Sequence, residues 1–237
     1  MIVDRWHPVT HDFGLLRAPL EAVVSGLLNW HDSIGTHYQQ TAITNGLESA
    51  FQALLPLSHA MPRRLFVRTK SDWTACFQNG IQGSDPFPAM SFLARELGVL
   101  GMRVCSTPEG ALWPANIWEV YAPPPLGGVL PLGYRRSIAA ANDGGRWVFD
   151  ELGEPFDFEK LELYKAKKKR DRFTRAVLEE CLGHFGIQPF NDTFFVVDEA
   201  HSAILLNRTL PAVTQPEYTL EQVLAGMPWQ HKPNVSP

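Results

Sequence analysis

The sequence predicts an α+β fold, a mainly antiparallel sheet with helices packed on it, and three observations carry that reading. Apolar residues recur at helical spacing in the first 55 residues and again after residue 174. The middle of the chain changes period, and Arg64–Thr69 and Trp73–Phe77 read as two strands of a hairpin around Lys70-Ser71-Asp72. Asn142-Asp143-Gly144-Gly145, which suits a tight turn, links two further strand-like segments.

In chain order, Ala18-Pro19 opens a helix whose Leu20, Val23, Val24, Leu27 and Leu28 form one apolar stripe. Thr36–Ile43 reads as a strand. Asn45 caps a second helix through Leu47, Ala50, Phe51, Leu54 and Leu55, which ends at Pro56. After the hairpin, Ser84-Asp85-Pro86 supplies a cap and a first-turn proline for a helix through Met90, Leu93, Ala94 and Leu97, closed by Gly98. Gly101–Cys105, Trp113–Tyr121, Tyr134–Ala141 and Arg146–Phe149 are strand-like and extend the sheet. The charged stretch Glu159–Arg170 and the stripe from Thr174 to Gly186 read as helices, with a short helix at Leu220–Leu224.

A chain of 237 residues, 45% hydrophobic and 19% charged, is long enough to bury one substantial core, so residues 1–237 are read as a single α+β domain. Ala122-Pro123-Pro124-Pro125-Leu126-Gly127-Gly128 forms neither helix nor ladder, so the segment 122–133 is a loop or a subdomain boundary, and 230–237 is expected as a flexible tail. The start Met1-Ile2-Val3-Asp4-Arg5-Trp6-His7-Pro8 has no apolar run, and no stretch approaches the roughly 20 apolar residues of a membrane span. A cytoplasmic protein with no membrane partner is expected. The widely spaced Cys76, Cys105 and Cys181 suit reduced core thiols.

A formal charge of -4 gives no footprint for general nucleic-acid binding, so nucleic acid is not an expected partner. Phe194–His201 ends in Asp-Glu-Ala-His, as helicase-type ATPases do, but a phosphate cradle of the G-x-x-x-x-G-K-[ST] type is missing. That match is read as a strand ending in polar turn residues. His7 and His11 lie four apart without the H-E-x-x-H pattern, so no metal and no cofactor are expected, and no catalytic residue is assigned. A catalytic group assembled from distant residues stays open. The cluster Lys165, Lys167, Lys168, Lys169, Arg170 and Arg172 fits an acidic patch on a protein partner better than a phosphate backbone. Most of the seven tryptophans are assigned to the core, with one or two at a binding surface.

Thr69–Gly80, followed by Gly83-Ser84-Asp85 and Gly101-Met102-Arg103-Val104, resembles a group of uncharacterised bacterial proteins. Trp147–Glu159, Arg170–Thr174 and Leu182–Ile187 carry the same resemblance. Such proteins look like the stand-alone cytosolic immunity proteins that accompany interbacterial toxins. The resemblance implies an immunity-type protein that binds and neutralises a cognate protein toxin, and it names no catalytic residue. A small hydrolase-like enzyme with a dispersed active site, or a toxin adaptor or chaperone, are the alternatives. Turns beside strands display sites, and the expected partner surface includes Asp72, Trp73, Asn79 and Asp85. Replacing Asp72 and Trp73 is then expected to weaken binding without changing the melting temperature.

Overall fold

In a computed structural model the chain is described over residues 2–197, 201–209 and 215–230. Asp198, Glu199 and Ala200 of the apparent ATPase box lie outside these residues. Of the expected tail only Gln230 is described, as the last residue of α7 (Met227–Gln230).

The fold is α+β, as predicted. One antiparallel sheet holds β1 (Asp12–Leu16), β2 (Tyr38–Ile43), β4 (Arg63–Thr69), β5 (Thr74–Gln78), β6 (Gly101–Ser106), β7 (Ala115–Tyr121), β8 (Tyr134–Asp143), β9 (Arg146–Leu152) and β11 (Ala203–Arg208). Their order is β2-β11-β4-β5-β1-β6-β7-β8-β9, and the short β10 (Phe195–Val196) pairs with the end of β4. β3 (Leu57–Ser58) and β12 (Glu217–Tyr218) make a separate ribbon. The helices are α1 (Ile2–Arg5), α2 (Leu20–Ser33), α3 (Gly46–Gln52), α4 (Phe87–Leu97), α5 (Arg175–Gly183) and α6 (Leu220–Leu224), besides α7.

The expected β4–β5 hairpin forms, with Arg68 opposite Thr74. Asp143 faces Arg146 across Gly144 and Gly145, whose φ of 59° and 90° require glycine in that turn. The segment 122–133 connects the neighbouring strands β7 and β8. The sequence does not mark β1, the strand at the middle of the sheet. All five of its residues are buried, so no polar alternation marks it. Phe13 and Leu15 point to one core and Leu16 to the other, as the period of two demands. Gly14 lets α4 pack directly on the strand: a Cβ there would meet the Met90 sulfur at 2.5 Å and the Met90 side chain would have to shift.

On that face α2 and α4 bury Val23, Val24, Leu27, Met90 and Leu93 against Leu16, Phe66 and Leu206. The opposite face meets α3, α5 and the segment from 153 to 190 through Phe51, Leu178, Trp118, Trp73 and Phe173. Gly98 closes α4 in the left-handed conformation as expected, with φ 69°. Ser84 does not cap α4; its hydroxyl accepts from the Gln78 amide at 2.7 Å and joins the turn to the sheet.

The stretch Glu159–Arg170 is not a helix. It contains two short 3₁₀ turns, Leu163–Lys165 and Lys169–Asp171. Glu159 is the reason: its carboxylate turns inward and accepts from Arg136 Nε at 3.0 Å and Nη2 at 2.7 Å. It also accepts from the Phe156 amide at 2.8 Å and the Tyr164 hydroxyl at 2.9 Å. Arg136 is 1% exposed and reaches Glu151 at 2.6 Å and the Gly153 carbonyl at 2.7 Å. A helix would set Glu159 and Tyr164 about 140° apart, so that both could not face this centre, and would stack the like charges that follow. Removing one partner of a buried pair strands the other charge. Arg136→Ala is therefore expected to lower unfolding stability in urea by about 3–5 kcal/mol, and a variant as stable as the parent would refute the role.

Candidate functional site

Antiparallel strands give the sheet two ends, and the structure divides the expected partner residues between them. Asp72 and Trp73 lie in the turn between β4 and β5, at the end where Leu16 faces Thr74. Asn79 and Asp85 lie at the other end, beyond Gln78. Asp72 and Asp85 are exposed, and Asp72 accepts from Arg17 Nε at 2.6 Å. Trp73 is 2% exposed and its indole N–H donates to the Phe185 carbonyl at 3.0 Å, so it fastens the segment after α5 to the sheet. Asn79 is buried as well; it accepts from the Arg63 amide at 2.9 Å and donates to the Pro56 carbonyl at 2.8 Å. Both side chains spend their polar atoms inside the fold. A surface cleft of about 460 Å³ beside Arg17, Asp72 and Trp73 remains open.

A second group lies on the α4 face of β1, β6 and β7. Arg103 holds Asp12 through Nε at 3.0 Å and Nη2 at 2.6 Å and approaches Glu119 at 3.7 Å. Glu119 accepts from the Tyr121 hydroxyl and, at 3.4 Å, from Tyr134. Burial pushes the Asp12 carboxyl up to about 6 against the pull of Arg103, and burial with Glu119 pushes Tyr134 up to about 12. Two carboxylates, one guanidinium and two phenols thus hold one another. The group knits three strands together.

The third group is the basic run. Because Glu159 and Tyr164 anchor one end of it and Phe173 the other, Lys165, Lys167, Lys168, Lys169 and Arg170 are all presented outward and exposed. The four lysines make no ion pair among the described residues. Lys168, Lys169 and Arg170 line a cleft of about 370 Å³ against the ring of Trp147 on the edge strand β9. Arg170 approaches Glu109 at 3.7 Å and Asp171 at 3.6 Å. On its other side Trp147 borders a cleft of about 320 Å³ shared with Thr107, Asn116, Thr174 and Arg175. The loop before β7 projects from this same end, with Leu112 65% and Trp113 49% exposed. Trp6, Trp73 and Trp118 are buried, whereas Trp113 is exposed and Trp147 is half-buried beside neighbouring charge. The cations are visible in the sequence, but nothing in it signals that β9 delivers an indole beside them.

His7 and His11 stack ring on ring, 4.9 Å apart, near this face. Burial, then His7 and Arg175, lower His11 to about 4, with Asp4 opposing. No protein-family model, curated protein or solved structure matches the chain. Among the described residues no helix is long and apolar enough to cross a membrane.

Two outcomes are expected. Trp73→Ala should destabilise by about 3–5 kcal/mol in chemical denaturation, as a buried Trp lost from a core does, whereas Asp72→Ala should stay within about 0.5 kcal/mol. The reverse order would place Trp73 outside the core. His31 is also lowered to about 4, by burial and then Arg64 and Arg208, with Asp32 opposing. Both folded values lie below the ordinary 6.5, so unfolding takes up protons; this stability is whole above 6.5 and is lost as pH falls towards 4. Asp12, raised from 3.8 to about 6, works in the opposite sense below pH 6. In phosphate-free buffer the melting temperature should fall between about pH 7 and 5, and His11→Gln with His31→Gln should flatten that fall. An unchanged slope in the double variant would show that other groups set it.

Proposed function

We propose that this chain is an immunity-type protein that neutralises a cognate protein toxin by binding it through the face around Trp147. The observation that carries the reading is a cleft that Trp147 lines together with Lys168, Lys169 and Arg170, at the end of the sheet where Leu112 and Trp113 are exposed. Aromatic and arginine anchors dominate protein interfaces, and a cationic rim steers an acidic partner into register. An acidic toxin surface is the complement expected for this face, and occlusion of that surface is the expected mode of neutralisation.

Binding of this kind depends on charge and on one ring. With the captured partner in hand, Trp147→Ala is expected to weaken binding about 30-fold or more, and Lys168→Glu with Lys169→Glu to slow association several-fold and reduce its salt dependence. The melting temperature should shift by less than about 2 °C, because these side chains are exposed or half-buried. The partner is to be captured on the wild-type chain from cells that make it, identified, and expressed alone and with the chain. Growth arrest by the partner alone, relieved by the wild-type chain and not by the triple variant, supports the proposal. A partner that is harmless, or is neutralised equally by the triple variant, refutes it.

A further inference from the structure

Five buried nitrogen atoms in one corner of the sheet have no hydrogen-bond acceptor: both ring nitrogens of His31, Nε and Nη1 of Arg64, and Nε of Arg208. Strand register brings them together. Arg64 faces Leu206, and Arg208 lies two residues further along β11, so both guanidiniums leave the same face of adjacent strands. Tyr38 is paired with Arg208, and His31 of α2 packs edge-on against the Tyr38 ring at 5.1 Å. His31 is itself only 7% exposed, while both arginines are half-buried and reachable where β4 begins and β11 ends.

This corner is unlike the other charged groups of the fold. Arg103 is held by Asp12 and Arg136 by Glu159, and Arg135, Arg172 and Arg175 lie over aromatic rings. Among the described residues the guanidiniums of Arg64 and Arg208 have neither an ion pair nor a ring, and the side-chain hydrogen bond they make is Arg208 Nη2 to the Ala60 carbonyl at 3.3 Å. The nearby carboxylate, Asp32, is exposed and faces His37 at 3.0 Å. Two neighbouring cations with unpaired buried donors cost stability, and an anion seated between them would remove that cost.

We propose that Arg64, Arg208 and His31 form an oxyanion site that takes the phosphate group of a small molecule. The donors come from two strands and a helix on one face of the sheet, and three separate donor groups suit a tetrahedral dianion; a planar carboxylate would engage one guanidinium fork. The site lies towards the β2 edge, across the sheet from Trp147 on β9, so it stands independently of the toxin-binding proposal.

The test uses the full chain in phosphate-free buffer at pH 7, titrated with inorganic phosphate or with glycerol 3-phosphate, ionic strength being matched with sodium chloride. A saturable rise in melting temperature of about 5 °C and an upward move of the His31 ring titration by NMR are expected. A rise with phosphate alone identifies the free anion, and a rise with the ester as well identifies a phosphomonoester headgroup. Arg64→Gln with Arg208→Gln should abolish the rise and lower the melting temperature in chloride by less than about 2 °C, since the side-chain hydrogen bond lost is the long one from Arg208 to the Ala60 carbonyl; a merely structural role would lower it further. No rise beyond chloride, or a rise that survives the double substitution, overturns the site. If the double variant does not fold, an unmoved His31 titration in the wild type at saturating phosphate overturns it equally.

Discussion

The insertion of β1 between β5 and β6 is the constraint on which the rest of this structure depends. That strand arrives early in the chain, yet it joins β2-β11-β4-β5 on one side to β6-β7-β8-β9 on the other. Both of its faces must be apolar or neutralised, because α4 lies directly on Gly14 and the larger core lies beneath Phe13 and Leu15. Its first residue, Asp12, satisfies that demand by pairing with Arg103 on the neighbouring strand. The two sheet edges, where the candidate sites lie, are fixed relative to each other through this strand.

Charge inside the fold is handled by local pairing, and the pairing shapes the surface. Arg136 and Glu159 tie the segment after β9 back onto β8, and that tie denies the following lysine-rich run a helical conformation. Spread over 3₁₀ turns, the lysines face outward beside Trp147 instead of circling a helix axis. A buried ion pair thereby sets the geometry of an exposed cationic cleft some residues away. The corner formed by Arg64, Arg208 and His31 breaks the same rule of local pairing, and that departure singles it out for an external anion.

The division of the tryptophans follows from the same packing. Trp118 and Trp73 sit on the face closed by α5 and the segment around Phe185, where large rings fill the space between sheet and cover. Trp147 lies on the edge strand and Trp113 in a loop, where no second layer covers them fully. Aromatic content in the sequence measures how much ring surface there is to place. It does not say which rings the cover reaches.

Local periodicity made the stripes of α2, α3, α4 and α5, the β4–β5 hairpin and the Gly144-Gly145 turn legible, because each depends on neighbours within a few residues. The α+β class followed from those elements alone. Only the tertiary structure decided that Asp12–Leu16 is the central strand and that Ala203–Arg208 returns beside β4, since a strand buried on both faces carries no alternation and its partners are far away in sequence. It likewise decided that Trp73 and Asn79 serve the interior, that Trp147 stands beside the lysines, and that two arginines converge on His31. Side-chain identity fixes what each group can bind; register and burial, set by distant pairings, fix what it meets.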